Sequence, residues 1–170
     1  MLSGAVDRGE YVSVVSKTSV QVAWQWSRFE DLRPEELYEV VRLRESVFIV
    51  EQNCAYPDAD GRDPAAWHLL GWTRDDEPRR LIAYARVFEP GVRYAEGSVG
   101  RVVTATEVRR TGVGRALMLE ALRRLEELAP GQPTRLAAQR YLEKFYAGFG
   151  FTTASAPYEE DGIIHLDMLR

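Results

Sequence analysis

Arg109-Arg110-Thr111-Gly112-Val113-Gly114-Arg115 sets three guanidinium groups around two glycines. Guanidinium forks match the oxygens of phosphates, and glycine removes the Cβ that would hold an anion away from backbone amides. A β-branched run, Val99 to Thr104, precedes this segment, and helical periodicity follows it. Leu117, Ala121, Leu122, Leu125 and Leu128 fall on one face, with Glu120, Arg123, Arg124, Glu126 and Glu127 on the other. The first turn of such a helix leaves N–H groups unpaired and carries the positive end of its dipole. Strand, glycine loop and helix start together read as a cradle for a pyrophosphate.

The kind of cradle follows from what is missing. No G-x-x-x-x-G-K-[ST] run is present, which excludes a P-loop. A dinucleotide fingerprint needs a small residue where Leu117 stands. What is left is R-x-x-G-x-G between a strand and a helix. The chain carries a formal net charge of −4, so these arginines are a local positive feature. That suits one small polyanion and argues against a nucleic-acid partner, which asks for a broad basic face. The single cysteine, Cys54, excludes an intrachain disulfide and any multi-cysteine metal site. Paired with His68 or His165 it could be a nucleophile, but no nucleophile elbow or helix start surrounds it, and it reads as a small buried hydrophobe. Tyr56 to Pro64 is rich in turn formers and aspartates yet lacks the order of a calcium loop. Its carboxylates cap turns or face a substrate. The expectation is no metal, no membrane span, no signal peptide and a cytoplasmic location.

The elements that must position the cradle read as α/β. Residues 1–20 are weakly patterned and expected to be a loosely ordered extension, with a single domain over 21–170. VQVAWQW alternates as a first strand. A helix opens at Asp31-Leu32-Arg33-Pro34 and runs out near Glu51 to Cys54. His68 to Thr73, Leu81 to Phe88, Val99 to Thr104, Arg135 to Ala138 and Ile163 to Leu169 read as strands. Gly100 marks a bulge or close backbone approach. A short amphipathic helix spans Tyr141 to Phe151 and ends at Gly150, and Tyr158 to Gly162 is an acidic tip. Tryptophans of the first strand are expected to be exposed and available to a homodimer.

This order, with R-x-x-G-x-G and Phe145-Tyr146-x-x-x-Gly-Phe, resembles the GNAT superfamily of N-acetyltransferases from about residue 20 onward. Val47-Phe48-Ile49-Val50-Glu51-Gln52-Asn53-Cys54, Asp60-Gly61-Arg62-Asp63 with His68-Leu69, Ala138-Gln139, and Glu160-Asp161-Gly162 with His165 are similar to its ElaA-type subgroup. Thr106, Arg110 and Ile164 depart from the common pattern. The resemblance implies a mixed, mostly antiparallel central sheet of about six or seven strands with helices on both faces. It implies acetyl-CoA as co-substrate. Val102, Val103 and Thr104 would pair with the pantetheine arm; the amides of Gly112, Val113, Gly114 and Arg115 would hold the pyrophosphate. Arg109 and Arg110 would flank it, and Gln139 would touch the arm.

The implied reaction is attack of a primary amine, from a small molecule or a protein, on the thioester in a ternary complex. The amine must lose a proton, and the leaving thiolate must be stabilised. By resemblance Tyr146 is the acid. The base stays open among Glu51, Glu160, Asp161, His68, His165 and a water, and the carboxylates could instead attract a cationic amine. The alternative is a CoA-binding sensor or assembly module without turnover.

Overall fold

The computed structural model describes residues 11–13 and 20–170. A 9-stranded sheet forms its frame. The long strands are β2 (Val22–Arg28), β3 (Trp67–Thr73), β4 (Leu81–Phe88), β5 (Gly97–Thr104), β6 (Thr134–Gln139) and β9 (Ile163–Leu169). The short ones are β1 (Tyr11–Ser13), β7 (Thr152–Thr153) and β8 (Tyr158–Glu160). These three exceed the expected count because segments of two or three residues are too brief to display an alternating pattern. β8 turns the acidic tip into a hairpin arm paired with β9. β1 pairs with β2 inside the stretch read as an extension; residues 1–10 and 14–19 lie outside the described residues.

The sheet order is β1-β2-β3-β4-β5-β6-β9-β7. Its pairs are antiparallel except β5 with β6, which is parallel. Helices α1 (Pro34–Arg44), α2 (Val113–Leu128) and α3 (Glu143–Ala147) complete it. Two contacts show that α1 and α2 take opposite faces. Arg44 of α1 lies over the Tyr84 ring at 5.8 Å, while Arg124 of α2 lies over Trp26 at 5.9 Å. Register places Trp26 beside Leu69 and Leu69 beside Ala85, and neighbouring residues Tyr84 and Ala85 point to opposite sides. β4 is accordingly buried at every position. Trp24 is buried and Trp26 is stacked on Trp67 at 5.1 Å. The first strand's tryptophans therefore serve the sheet's own packing, contrary to the expectation that they stand exposed for a partner.

Pro34 at the first turn and a bond from the Arg33 N–H to Glu36 Oε2 of 2.9 Å start α1. The expected helix to Glu51 does not stay α-helical. From Glu45 to Glu51 the backbone widens to a π-helix, and the Gln52 N–H reaches the Val47 carbonyl at 3.1 Å.

The aspartates of the 56–64 loop do more than cap turns. They form a closed ring of alternating charges with three arginines. Asp58 bonds Arg44 (2.7 Å) and Arg101 (2.7 Å), Asp60 bonds Arg86 (2.7 Å) and meets Arg101 (3.5 Å), and Asp63 bonds Arg86 (2.8 Å) and Arg44 (2.9 Å). Arg44 and Arg86 are buried. His68 sits fully buried beside the ring, between the Tyr84 hydroxyl (2.8 Å) and the Asp63 carbonyl (3.0 Å).

The ring makes stability depend on pH in a defined direction. Burial alone raises the Asp60 carboxyl, but hydrogen bonds from Arg86 and the Arg62 amide outweigh it and hold that carboxyl well below the usual range. Asp63 is lowered likewise, against its burial, by Arg44 and Arg86. Burial lowers His68. In each case the unfolded chain binds the proton first, so stability rises with pH across the window. Denaturant titrations should show a shallow loss of stability as pH falls below about 6.5, from His68, and a steeper one below about 4, from the aspartates. D60N, which leaves Arg86 and Arg101 short of a carboxylate, should cost about 3 kcal/mol at neutral pH and flatten the acid limb.

Candidate active site

The site originates in a mismatch between β5 and its two neighbours. Against β4, Tyr84 faces Val103 and Arg86 faces Gly100, so Arg101 and Val102 stand opposite Ala85 alone. The bulge is thus one residue beyond Gly100, and Arg101 takes the left-handed backbone at φ 49. An arginine holds this conformation because its side chain is fastened to Asp58 of the ring. Bulged strands bend. Parallel pairing of β5 with β6 accordingly stops after Gly97–Thr134 and Ser98–Arg135, although both strands continue. The parted strands open a cleft of about 1010 Å³. Val102, Val103 and Thr104 line it, with the edge of β5 that faces β6 left without a strand partner.

At the top of the cleft, Arg110 (φ 64) and Gly112 (φ 95) turn the chain through two left-handed residues into α2. The first helical bond runs from the Ala116 N–H to the Gly112 carbonyl at 3.0 Å. The amides of Val113, Gly114 and Arg115 therefore have no acceptor within the helix. A Cβ on Gly114 would meet only Thr104 at 3.8 Å and Phe145 at 4.0 Å, ordinary contacts, so the protein itself does not demand glycine there. The opening faces the cleft.

The three arginines have different fates. Arg109 is clamped by Glu51 through two bonds of 2.7 and 2.8 Å, with the Thr106 hydroxyl also donating to Glu51. Hydrogen bonds from Arg109 hold the Glu51 carboxyl below its ordinary range. As a candidate base Glu51 is thereby weakened, because the ion pair lowers its affinity for a proton. Arg115 lies over the Phe149 ring at 5.2 Å, and Arg110 makes no ion pair among the described residues.

Tyr146 lines the cleft from α3 and is buried among Phe145 and Phe151. Among the described residues its hydroxyl has no hydrogen-bond partner. Burial pushes that hydroxyl above the ordinary phenol range, so it stays protonated at neutral pH. Gln139, at the end of β6, exchanges amide bonds with Gln52 (3.1 and 3.5 Å), joining the π-helix to the far wall. Glu160, Asp161 and His165 also line the cleft. His68 does not line it; it is committed to the charge ring, which removes it from the candidate bases. The Cys54 thiol donates to the Asp161 carbonyl at 3.1 Å. Gln52, Tyr141 and Arg93 also border the cleft. Gln52 belongs to the Val47–Cys54 segment, which assigns it no role, and no periodic pattern distinguishes Tyr141 or Arg93.

A strand edge without a partner beside three orphan amides is a site for an extended arm ending in a polyanion. The chain belongs to the GNAT acetyltransferase family: the family model "Acetyltransferase (GNAT) domain" matches residues 74–170. A UPF0039 protein of Synechocystis is 41% identical over 150 residues, covering 88% of this chain and 96% of that one. Protein ElaA of Escherichia coli is 38% identical over 151 residues, with the same coverage, and its crystal structure superposes with a TM-score of 0.80. An acyl-CoA N-acyltransferase from Pseudomonas aeruginosa matches at 37% identity and a TM-score of 0.81, covering 88% of this chain and 99% of that one. Family membership supports acyl transfer from a CoA thioester.

The two glycines should separate cleanly in a denaturation experiment. G112A places a side chain at φ 95 and should lower the unfolding free energy by about 1–2 kcal/mol. G114A adds a methyl in open space within a helix and should leave stability unchanged or slightly raised.

Proposed function

We propose that the chain transfers the acetyl group of acetyl-CoA to a primary amine by direct attack within a ternary complex. The observation that carries this is the parting of β5 from β6, which leads an unpaired strand edge straight to the amides of α2. The residues fit the donor: Val102, Val103 and Thr104 offer backbone to the pantetheine arm, and Gly112, Val113, Gly114 and Arg115 offer amides to the diphosphate. Arg110 and Arg115 add charge from the side. Arg109, held by Glu51, is a fixed third cation rather than a mobile one. Gln139, already paired with Gln52, borders the arm's path.

When bound, acetyl-CoA supplies an activated acyl carbon. The chain's own groups then manage two protons. Glu160 lines the acceptor end and attracts the ammonium form; it, or a water beside it, takes the proton that makes the amine a nucleophile. As the C–N bond forms and the C–S bond breaks, the Tyr146 hydroxyl donates a hydrogen bond to the departing sulfur. Its raised proton affinity makes complete transfer to a thiolate (about 8.5) uphill, so stabilisation rather than full protonation is its contribution. The remaining amine proton ends on sulfur, giving an amide and free thiol.

Thiol release from acetyl-CoA with a panel of amines tests the reading. Release above the rate without amine is expected; tight CoA binding with no release for any amine would leave a binding module. G114A, whose stability is intact, should weaken CoA binding at least tenfold by calorimetry, because its methyl occupies the cradle. Y146F should lower kcat about a hundredfold with the KM for acetyl-CoA little changed. Since the Tyr146 hydroxyl titrates above its ordinary value, wild-type activity should show no alkaline decline up to about pH 10.

A further inference from the structure

Arg93 lines the cleft and makes no hydrogen bond or ion pair among the described residues; its guanidinium rests only over the Tyr94 ring at 5.0 Å. Its Nε is buried without a partner. The Arg86 Nε is likewise unpartnered, but other arginines around the site each hold an acid: Arg101 and Arg86 hold Asp58 and Asp60, Arg109 holds Glu51, and Arg135 holds Glu96. Each of those acids is already taken, and among the described residues no carboxylate pairs with Arg93. A guanidinium without an acid of its own leaves donors that a ligand entering the cleft can accept from.

Its position says which ligand. An Arg93 Nη would stand 3.6 Å from a Cβ on Gly100, whereas the α2 cradle adjoins Thr104. Four steps of β5, one of them absorbed by the bulge, separate those points, roughly 10 Å along the strand. Arg93 is therefore beyond the bulge, at the end of the cleft away from the diphosphate. The Glu160 carboxylate lines the same cleft and makes no hydrogen bond or ion pair among the described residues.

Resting on the acetyltransferase reading above, we infer that the acceptor is zwitterionic, a free amino acid whose carboxylate is forked by Arg93 while its ammonium is drawn to Glu160. Arg93 is then a specificity residue. A charge-assisted pair of this kind discriminates a carboxylate from its neutral amide by about tenfold to a hundredfold.

The test uses the full chain, acetyl-CoA and the common L-α-amino acids, each against its α-carboxamide. At least one acid should exceed its amide in kcat/KM by tenfold or more, the difference lying in KM. R93M should erase that preference and R93K restore part of it, with CoA binding by calorimetry as the folding control. Equal use of acid and amide by the wild type, or a preference that survives R93M, overturns the inference. So does a neutral amine that is acylated faster from succinyl-CoA than from acetyl-CoA in an Arg93-dependent way, which would assign the guanidinium to the acyl group. If CoA binds but no amino acid turns over or binds beside it in calorimetry, the acceptor assignment falls while the cradle stands. If CoA does not bind, both fall.

Discussion

Six charges closed into a ring hold this site open. Asp58, Asp60 and Asp63 alternate with Arg44, Arg86 and Arg101, so each charge touches two of opposite sign. A buried guanidinium is costly unless its donors are spent on acids and carbonyls. Here the cost is offset by drawing the 56–64 loop down onto α1, β4 and the bulge at once. The loop could not lift away without stranding Arg44 and Arg86, which have almost no contact with solvent.

The bulge is where this constraint becomes a cleft. Arg101 sits at a positive φ that a side chain ordinarily avoids, and its bonds to Asp58 make that conformation the one in which its charge is satisfied. The turn at Arg101 swings the rest of β5 off the line of β6. A strand edge inside a protein is normally paired; here it is kept vacant by geometry that lies a strand away. The parting, the cradle at Gly112 and the wall supplied by α3 all follow from how β5 leaves the sheet.

Around the cleft, ion pairs sort the charged residues into fixed and available ones. Glu51 and Arg109 neutralise each other at the rim, and the π-helical turn that carries Glu51 also sends Gln52 across to Gln139. Those residues shape the walls. Among the described residues Tyr146, Glu160, Arg93 and Arg110 keep their polar ends uncommitted, and the proposed chemistry rests on those groups.

Local pattern was enough for the strand–glycine–helix unit, because periodicity, a left-handed glycine and orphan amides are properties of contiguous residues. It was enough for the long strands, for α2 and for the two-sided covering of the sheet. The chain alone did not reveal the charge ring, whose members lie from Arg44 to Arg101 and meet only on folding. It also misplaced the bulge by one residue, since the glycine drew attention while the strain fell on an arginine that distant aspartates could restrain. Glu51 and Glu160 stood ahead of His68 as candidate bases in the sequence, but nothing beside them in the chain told which would be paired. Only the tertiary structure separated Glu51 and His68 from the free groups, because a carboxylate's or imidazole's chemistry depends on the partners that folding brings to it, and those partners carry no signature in the residues beside them.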